Sequence, residues 1–169
     1  MRRLVALLRG VNVGGVKVPM ADLKRICTEA GFAEVVTYVN SGNAVFSTDR
    51  SEPEVKRELE RRLAELVGRP IAVLVRDGAE MAAVLAGNPW PEREDKFAVA
   101  IFLDEAPDKN ALDAIKNKAE DEEVMLGRRE IYVWYGSGMG RSKLAIPAAR
   151  NGTARNMNSV RKLAELAAS

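Results

Sequence analysis

The chain has 169 residues, 47% of them hydrophobic and 30% charged, with a formal net charge of +2. That length suits one ordinary domain or two small units sharing a core, and the apolar share excludes a disordered chain. Histidine is absent, which removes the commonest general base, the Ser-His and Cys-His nucleophile pairs and every imidazole metal site. The single cysteine, Cys27, rules out an intrachain disulfide and fits a reducing cytoplasm. Arg2 and Arg3 precede only five apolar residues, too few for a signal-peptide core, and no stretch approaches the roughly 20 apolar residues that span a bilayer. No metal and no cofactor is expected, and a cytoplasmic location is.

Arg3 to Leu8 reads as a strand buried on both faces. It exits into Arg9-Gly10-Val11-Asn12-Val13-Gly14-Gly15, and Pro19 then suits the first turn of a helix. Leu23, Ile26, Cys27 and Ala30 follow at helical spacing up to Gly31. Val35 to Val39 and Ala44 to Ser47 read as strands joined by the turn Asn40-Ser41-Gly42-Asn43. Ser51 and Glu54 make a capping-box pattern with Pro53 between them. Val55, Leu59, Leu63 and Leu66 then mark a long helix ending at Gly68. Ile71 to Val75 is a fourth strand, so the order is β-α-β-β-α-β, the ferredoxin-like unit.

The remainder opens with a short helix capped by Asp77 and Glu80 and broken at Asn88-Pro89-Trp90-Pro91. Phe97 to Leu103 reads as a strand, Leu112, Ile115 and Ala119 as a helix, and Val124 to Leu126 with Ile131 to Tyr135 as a hairpin. A final helix starts near Asn158, with Val160, Leu163, Ala164 and Ala167 on one face. The expected fold class is α+β. Two ferredoxin-like (βαββαβ-type) halves, residues 1–76 and 77–169, pack as one compact unit, the second short of its last strand and ending in the C-terminal helix.

In such a sheet the first two strands run parallel with the third between them. The exit of the first strand, the hairpin after the second and the turn at 68–70 therefore share one sheet end. Arg9, Asn12 and Lys17 would meet Asn40, Ser41 and Asn43 there. The loop is no nucleotide P-loop: Val16 stands where that motif needs lysine, and no Ser or Thr follows for magnesium. Its glycines can still expose backbone N–H groups to an anion, or simply make a sharp turn. A second basic stretch, Gly136 to Lys143, supplies Arg141, Ser142 and Lys143, and Arg155 and Asn156 precede the last helix. Asn156 or Asn158 caps that helix on this reading. Arg155 sits unfavourably near a helix N-terminus, so its guanidinium is expected to close on the 9–15 loop or the 40–43 turn and complete one polar surface. Cys27 belongs to the core.

These pieces resemble a bacterial family catalogued as domain of unknown function 1697. The resemblance rests on Leu7 to Gly15, Pro19-Met20 with Leu23, Gly31-Phe32, Thr37 to Asn43, Asn88-Pro89, Ser142-Lys143-Leu144 and Thr153 with Arg155-Asn156. It implies two related α+β halves and assigns no reaction. Met157 stands where the family tends to have tryptophan, Ser159 where it tends to have threonine, and Asn40 where glutamine is frequent.

Three functional readings follow. The first is binding of an anionic ligand, a phosphate-bearing small molecule or a nucleic acid, through Arg9, Asn12, Lys17, Asn40, Ser41 and Asn43, with Arg141, Ser142, Lys143, Arg155 and Asn156 as a second or joined patch. The second is a histidine-independent enzyme on a small molecule, with Lys143 or a carboxylate as base and Ser41 or Ser142 near the reacting atom. The third is a protein-interaction module whose polar motifs only pin loops. The sequence decides neither whether the chain is an enzyme nor its oligomeric state.

Overall fold

The computed structural model describes residues 1–12, 15–38 and 41–168. The chain divides into two compact units, Met1–Met81 with Leu163–Ser169, and Ala82–Lys162.

The first unit contains β1 (Arg2–Leu8), α1 (Met20–Glu29), β2 (Ala33–Thr37), β3 (Asn43–Thr48), α2 (Glu52–Val67) and β4 (Val73–Asp77). Its sheet order is β2-β3-β1-β4, with β3 antiparallel to both β1 and β2 and β4 antiparallel to β1. This is the ferredoxin-like arrangement read from the sequence. Residues Leu4 to Leu8 of β1 are fully buried because the strand lies inside the sheet and is apolar on both faces. The capping box closes α2 as expected: the Glu54 N–H donates to Ser51 Oγ (3.3 Å) and the Ser51 N–H to Glu54 Oε1 (3.4 Å). Gly68 ends the helix at φ 81°, the left-handed cap that glycine adopts without strain. Leu23, Ile26 and Cys27 of α1 and Val55, Leu59 and Leu63 of α2 bury against one sheet face with Leu4, Ala6, Leu8 and Phe46. Phe32 stacks on Phe46 there, with ring centroids 4.3 Å apart. The outer edge of β4 is partly closed by α2, since Val73 donates to Glu60 Oε2 (2.9 Å) and accepts from Lys56 Nζ (2.5 Å).

α3 (Gly78–Ala86) follows β4, held by a reciprocal cap in which Glu80 N–H donates to Asp77 Oδ1 (2.8 Å) and Asp77 N–H to Glu80 Oε1 (2.9 Å). The second unit's sheet is β5 (Ala98–Phe102), β6 (Glu122–Leu126), β7 (Glu130–Tyr135) and β8 (Thr153–Asn156), in the order β6-β7-β5-β8, again antiparallel throughout. α4 (Met157–Ala167) closes the chain, with Met157, Val160, Leu163 and Ala167 buried on one face.

Two expectations change here. The second half does not lack its last strand: β8 supplies it. Thr153-Ala154-Arg155-Asn156 is short and polar, so no apolar alternation announced it; its pairing with Val99 to Phe102 makes it a strand. Nor is there a helix through Leu112, Ile115 and Ala119. Only a 3-10 turn, Ala111–Ala114, forms; Ile115 is extended, Lys116 bridges to Ala145, and Asn117 takes φ 60°. Of that turn only Ala111 is buried, too little apolar contact to propagate a helix whose nucleus is costly.

Among the described residues, no helix is long and apolar enough to cross a membrane.

Candidate anion-binding surface

Three connections of the first unit meet where β1 ends. The Leu8 N–H donates to the Gly42 carbonyl, and the Arg9 N–H to the Ala72 carbonyl, both at 2.9 Å. The exit loop, the β2–β3 turn and the segment entering β4 are thus one surface, as strand direction implies. Their approach is close. A Cβ at Gly42 would lie 2.6 Å from Val11 Cγ2 and 2.9 Å from Leu8 Cβ, and Gly42 also has φ +87°. Glycine is required there for space and for conformation.

Several polar residues at this end serve the loops themselves. Asn12, at φ 59°, donates from Nδ2 to the Val18 carbonyl (3.1 Å) and accepts the Val18 N–H at Oδ1 (2.9 Å), while its own N–H donates to Val16 O (2.6 Å). A side-chain amide that copies a backbone ladder in this way ties Asn12 to Val18. Asn43 is fully buried and donates to the Tyr38 carbonyl (2.8 Å) and to Ser41 Oγ (3.0 Å), which fixes the hairpin. Asn40 lies outside the described residues.

The charges differ in placement. Arg9 and Lys17 are exposed, and so is Arg69 in the α2–β4 turn, a residue not singled out from the sequence. The signal for it was its position in a turn already assigned to this sheet end. Segments 9–19, 38–43 and 68–72 together contain these three cations and no Asp or Glu. α1 starts three residues after Lys17 with Pro19 at its N-cap and no side-chain cap, and the Asp22 N–H donates to the Pro19 carbonyl (3.0 Å).

The other sequence-chosen residues belong to the second unit and gather at the entry end of β5. Asn156 pairs with Val99 and caps α4, accepting the Ser159 N–H at Oδ1 (3.0 Å). Ser142 Oγ donates to buried Glu122 (2.5 Å) and accepts the Leu144 N–H (3.1 Å). Glu122 also accepts the Ala119 N–H (2.9 Å), so the serine and the carboxylate pin the 119–144 region. Glu122 opens β6 and Asn156 ends β8, the two outer strands, which three strand spacings hold about 14 Å apart. Arg141 and Lys143 are exposed.

Arg155 is not the solvated side chain that a surface charge would give. It is 5% exposed, donating from Nη1 to Thr153 Oγ1 (2.7 Å) and to the Ala154 carbonyl (2.9 Å), and burial pushes its guanidinium down to about 10. It also stands inside β8, one residue before the cap, which accounts for its burial. Burial likewise pushes the Cys27 thiol up to about 12, consistent with an inert core cysteine.

Residues 1–132 match a family model described as a protein of unknown function (DUF1697). The chain belongs to that family. It is also similar to a solved structure, a conserved bacterial protein from Streptococcus pneumoniae. The two share 28% sequence identity over 98% of each chain, with a TM-score of 0.79. A search of curated proteins returns no match. The family and its structural relative thus support the two-sheet architecture and carry no ligand or reaction to this surface.

Proposed function

We propose that this DUF1697 protein is a cytoplasmic protein that binds a phosphate-bearing ligand at the basic end of its first sheet. Three converging segments with three cations and no acid carry the reading. The contacts assigned to the ligand are Arg9, Lys17 and Arg69 with the first N–H groups of α1. An anion at a helix N-terminus gains about 0.3–1 kcal/mol, and each nearby cation adds a salt-screened attraction. Asn12, Ser41 and Asn43 hold the loops in shape, and Asn156 and Ser142 serve the second unit's own connections. The proposal uses neither Arg141 and Lys143 of the second unit nor a reach of Arg155 to the first unit's loops.

Thermal unfolding at low ionic strength, with inorganic phosphate, pyrophosphate, nucleoside triphosphates and short oligonucleotides in turn, tests the reading. A ligand at 100 times its Kd adds about 2.7 kcal/mol of stability, a rise of roughly 5–11 °C for a chain of this size. A rise with pyrophosphate and nucleotides that disappears at high salt is expected. A rise with oligonucleotides alone redirects the assignment to nucleic acid, and no rise with any of them overturns it.

A further inference from the structure

Each sheet ends in two outer strands, and β2, β4 and β8 each carry a device on the outer edge. In β4 the Arg9–Ala72 bond fixes which residues face β1, so Val73, Val75 and Asp77 turn outward. Glu60 and Lys56 take the Val73 N–H and carbonyl, the Arg76 guanidinium takes the Val75 carbonyl, and Glu80 takes the Asp77 N–H. In β8 the Arg155 guanidinium takes the Ala154 carbonyl. β2 is bulged between Ala33 and Val36, and Arg3 reaches the Glu34 carbonyl (3.4 Å). Such devices keep a sheet edge from pairing with another chain.

β6 is the exception. It pairs with β7 in unbroken register from Glu122 to Leu126. The Gly127 N–H on Glu130 O (2.7 Å) and the Gly136 N–H on Asp121 O (3.2 Å) show that its odd-numbered residues exchange bonds with β7. Val124 and Leu126 therefore turn their N–H and C=O groups outward, and among the described residues no hydrogen bond meets those groups. Met125 between them is 49% exposed.

The order of charges along this stretch selects the occupant. Asp121-Glu122-Glu123 come before the apolar residues and Arg128-Arg129 come after them. Paired antiparallel with itself, the stretch sets the acidic end of each copy beside the basic end of the other. Arg128 is exposed, and no carboxylate meets it among the described residues. We propose that β6 is a dimerisation strand, through which two copies of this chain pair antiparallel about a two-fold axis at Met125. In that register Val124 of one copy exchanges backbone bonds with Leu126 of the other, so both open residues are used. Met125 faces its own counterpart as a non-hydrogen-bonded pair, with Cα atoms about 4.5 Å apart, and the two sheets become continuous. The interface uses no residue of the basic end of the first sheet.

Sedimentation equilibrium and oxidative cross-linking test the proposal. The wild type is expected to approach twice 18.5 kDa as its concentration rises. Met125→Lys sets like charges opposite each other at the axis, and Val124→Pro removes an outward N–H at a place where an edge strand tolerates proline. Both variants are expected to remain monomeric, Met125→Lys with an unchanged unfolding temperature in dilute solution. Met125→Cys is expected to give a disulfide-linked dimer under mild oxidation, because a pair about 4.5 Å apart lies within disulfide reach. Met139→Cys, at a residue 51% exposed, is expected to stay monomeric, and buried Cys27 takes no part. A wild type that is monomeric at every concentration overturns the proposal, as does a dimer that persists in both Met125→Lys and Val124→Pro. Where either of these variants unfolds, the cysteine pair decides, and equal cross-linking at 125 and 139 overturns it.

Discussion

The two halves share a strand order and the register of β1 and β5 with the strands on either side, but not their connections. In the first, α1 and α2 lie on one sheet face and bury Leu23, Ile26, Leu59 and Leu63 completely or nearly so. In the second, the matching stretches are a 3-10 turn at Ala111–Ala114 and a looped chain through two more, Met139–Arg141 and Pro147–Ala149. Leu144, Ile146 and Ala149 cover that face and stay partly exposed. The central strands pair the same way in both, although β2 carries a bulge against β3 that β6 lacks against β7. Crossover helices are therefore not what sets the register; the inward-outward pattern of the strands and the tight hairpin closures are. What the helices change is how much apolar surface one face can bury.

The largest test of this contrast compares one residue from each covering layer. Leu59→Ala, in a fully buried site under α2, should lower unfolding stability by about 3 kcal/mol, within the 2–5 kcal/mol usual for buried leucine truncations. Leu144→Ala removes a half-buried side chain and should lose about 1 kcal/mol, because less surface is taken from water. Urea unfolding of both variants gives the comparison. Equal losses would mean that the looped layer packs as tightly as the helical one.

The first half was the more legible for the same reason. Its helices repeat apolar residues at helical spacing over two to four turns, and its stop signals, Ser51 with Glu54 and Gly68, act locally on the backbone. Strand direction brings the exit loop to the hairpin, and the bonds of Leu8 to Gly42 and of Arg9 to Ala72, just before β4, agree with it. In the second half, Thr153 to Asn156 is a strand only because β5 offers it partners, and Leu112 to Ala119 is no helix because its apolar residues find little to pack on. Neither fact is local. At the candidate site, chemistry-bearing residue types were legible but their duties were not. Asn12, Asn43 and Ser142 have the donors and acceptors of binding residues and use them on backbone and side-chain partners that only the folded chain supplies. Arg155 announced its oddness through helix-dipole reasoning, yet its place inside a strand was hidden with β8.

A middle-sized test concerns the caps that follow two buried arginines, Arg76 of β4 and Arg155 of β8. Asp77 and Asn156 each accept the N–H of the residue three positions on, Glu80 (2.8 Å) and Ser159 (3.0 Å). Asp77→Ala and Asn156→Ala should each lose about 1 kcal/mol, and Asn156→Asp should lose almost nothing, because either side chain caps well. If Asn156→Asp is as damaging as the alanine change, the two strand-to-helix junctions are not equivalent and the register match stops short of them.

The smallest effect belongs to a charge network on α2. Glu58 accepts from Arg62 Nε (2.8 Å) and Arg50 (3.3 Å) and is also paired with Arg61. These bonds, with that from Arg62 foremost, hold its carboxyl down at about 2. A carboxylate with a depressed folded-state value stabilises above its unfolded value of about 4.3 and loses that contribution as the pH falls through the folded one. Wild type and Glu58→Gln should therefore differ near neutrality and converge between about pH 4.5 and pH 2. Because the Arg61 and Arg50 side chains are 55% and 42% exposed, solvent screening keeps the difference below about 1 kcal/mol, and 1 M salt should shrink it further. Denaturant midpoints for the two proteins across that pH range read it directly. A gap that persists unchanged at pH 2 would show that Glu58 contributes through packing, so that even the outer face of α2 supports the first half by contact and not by charge.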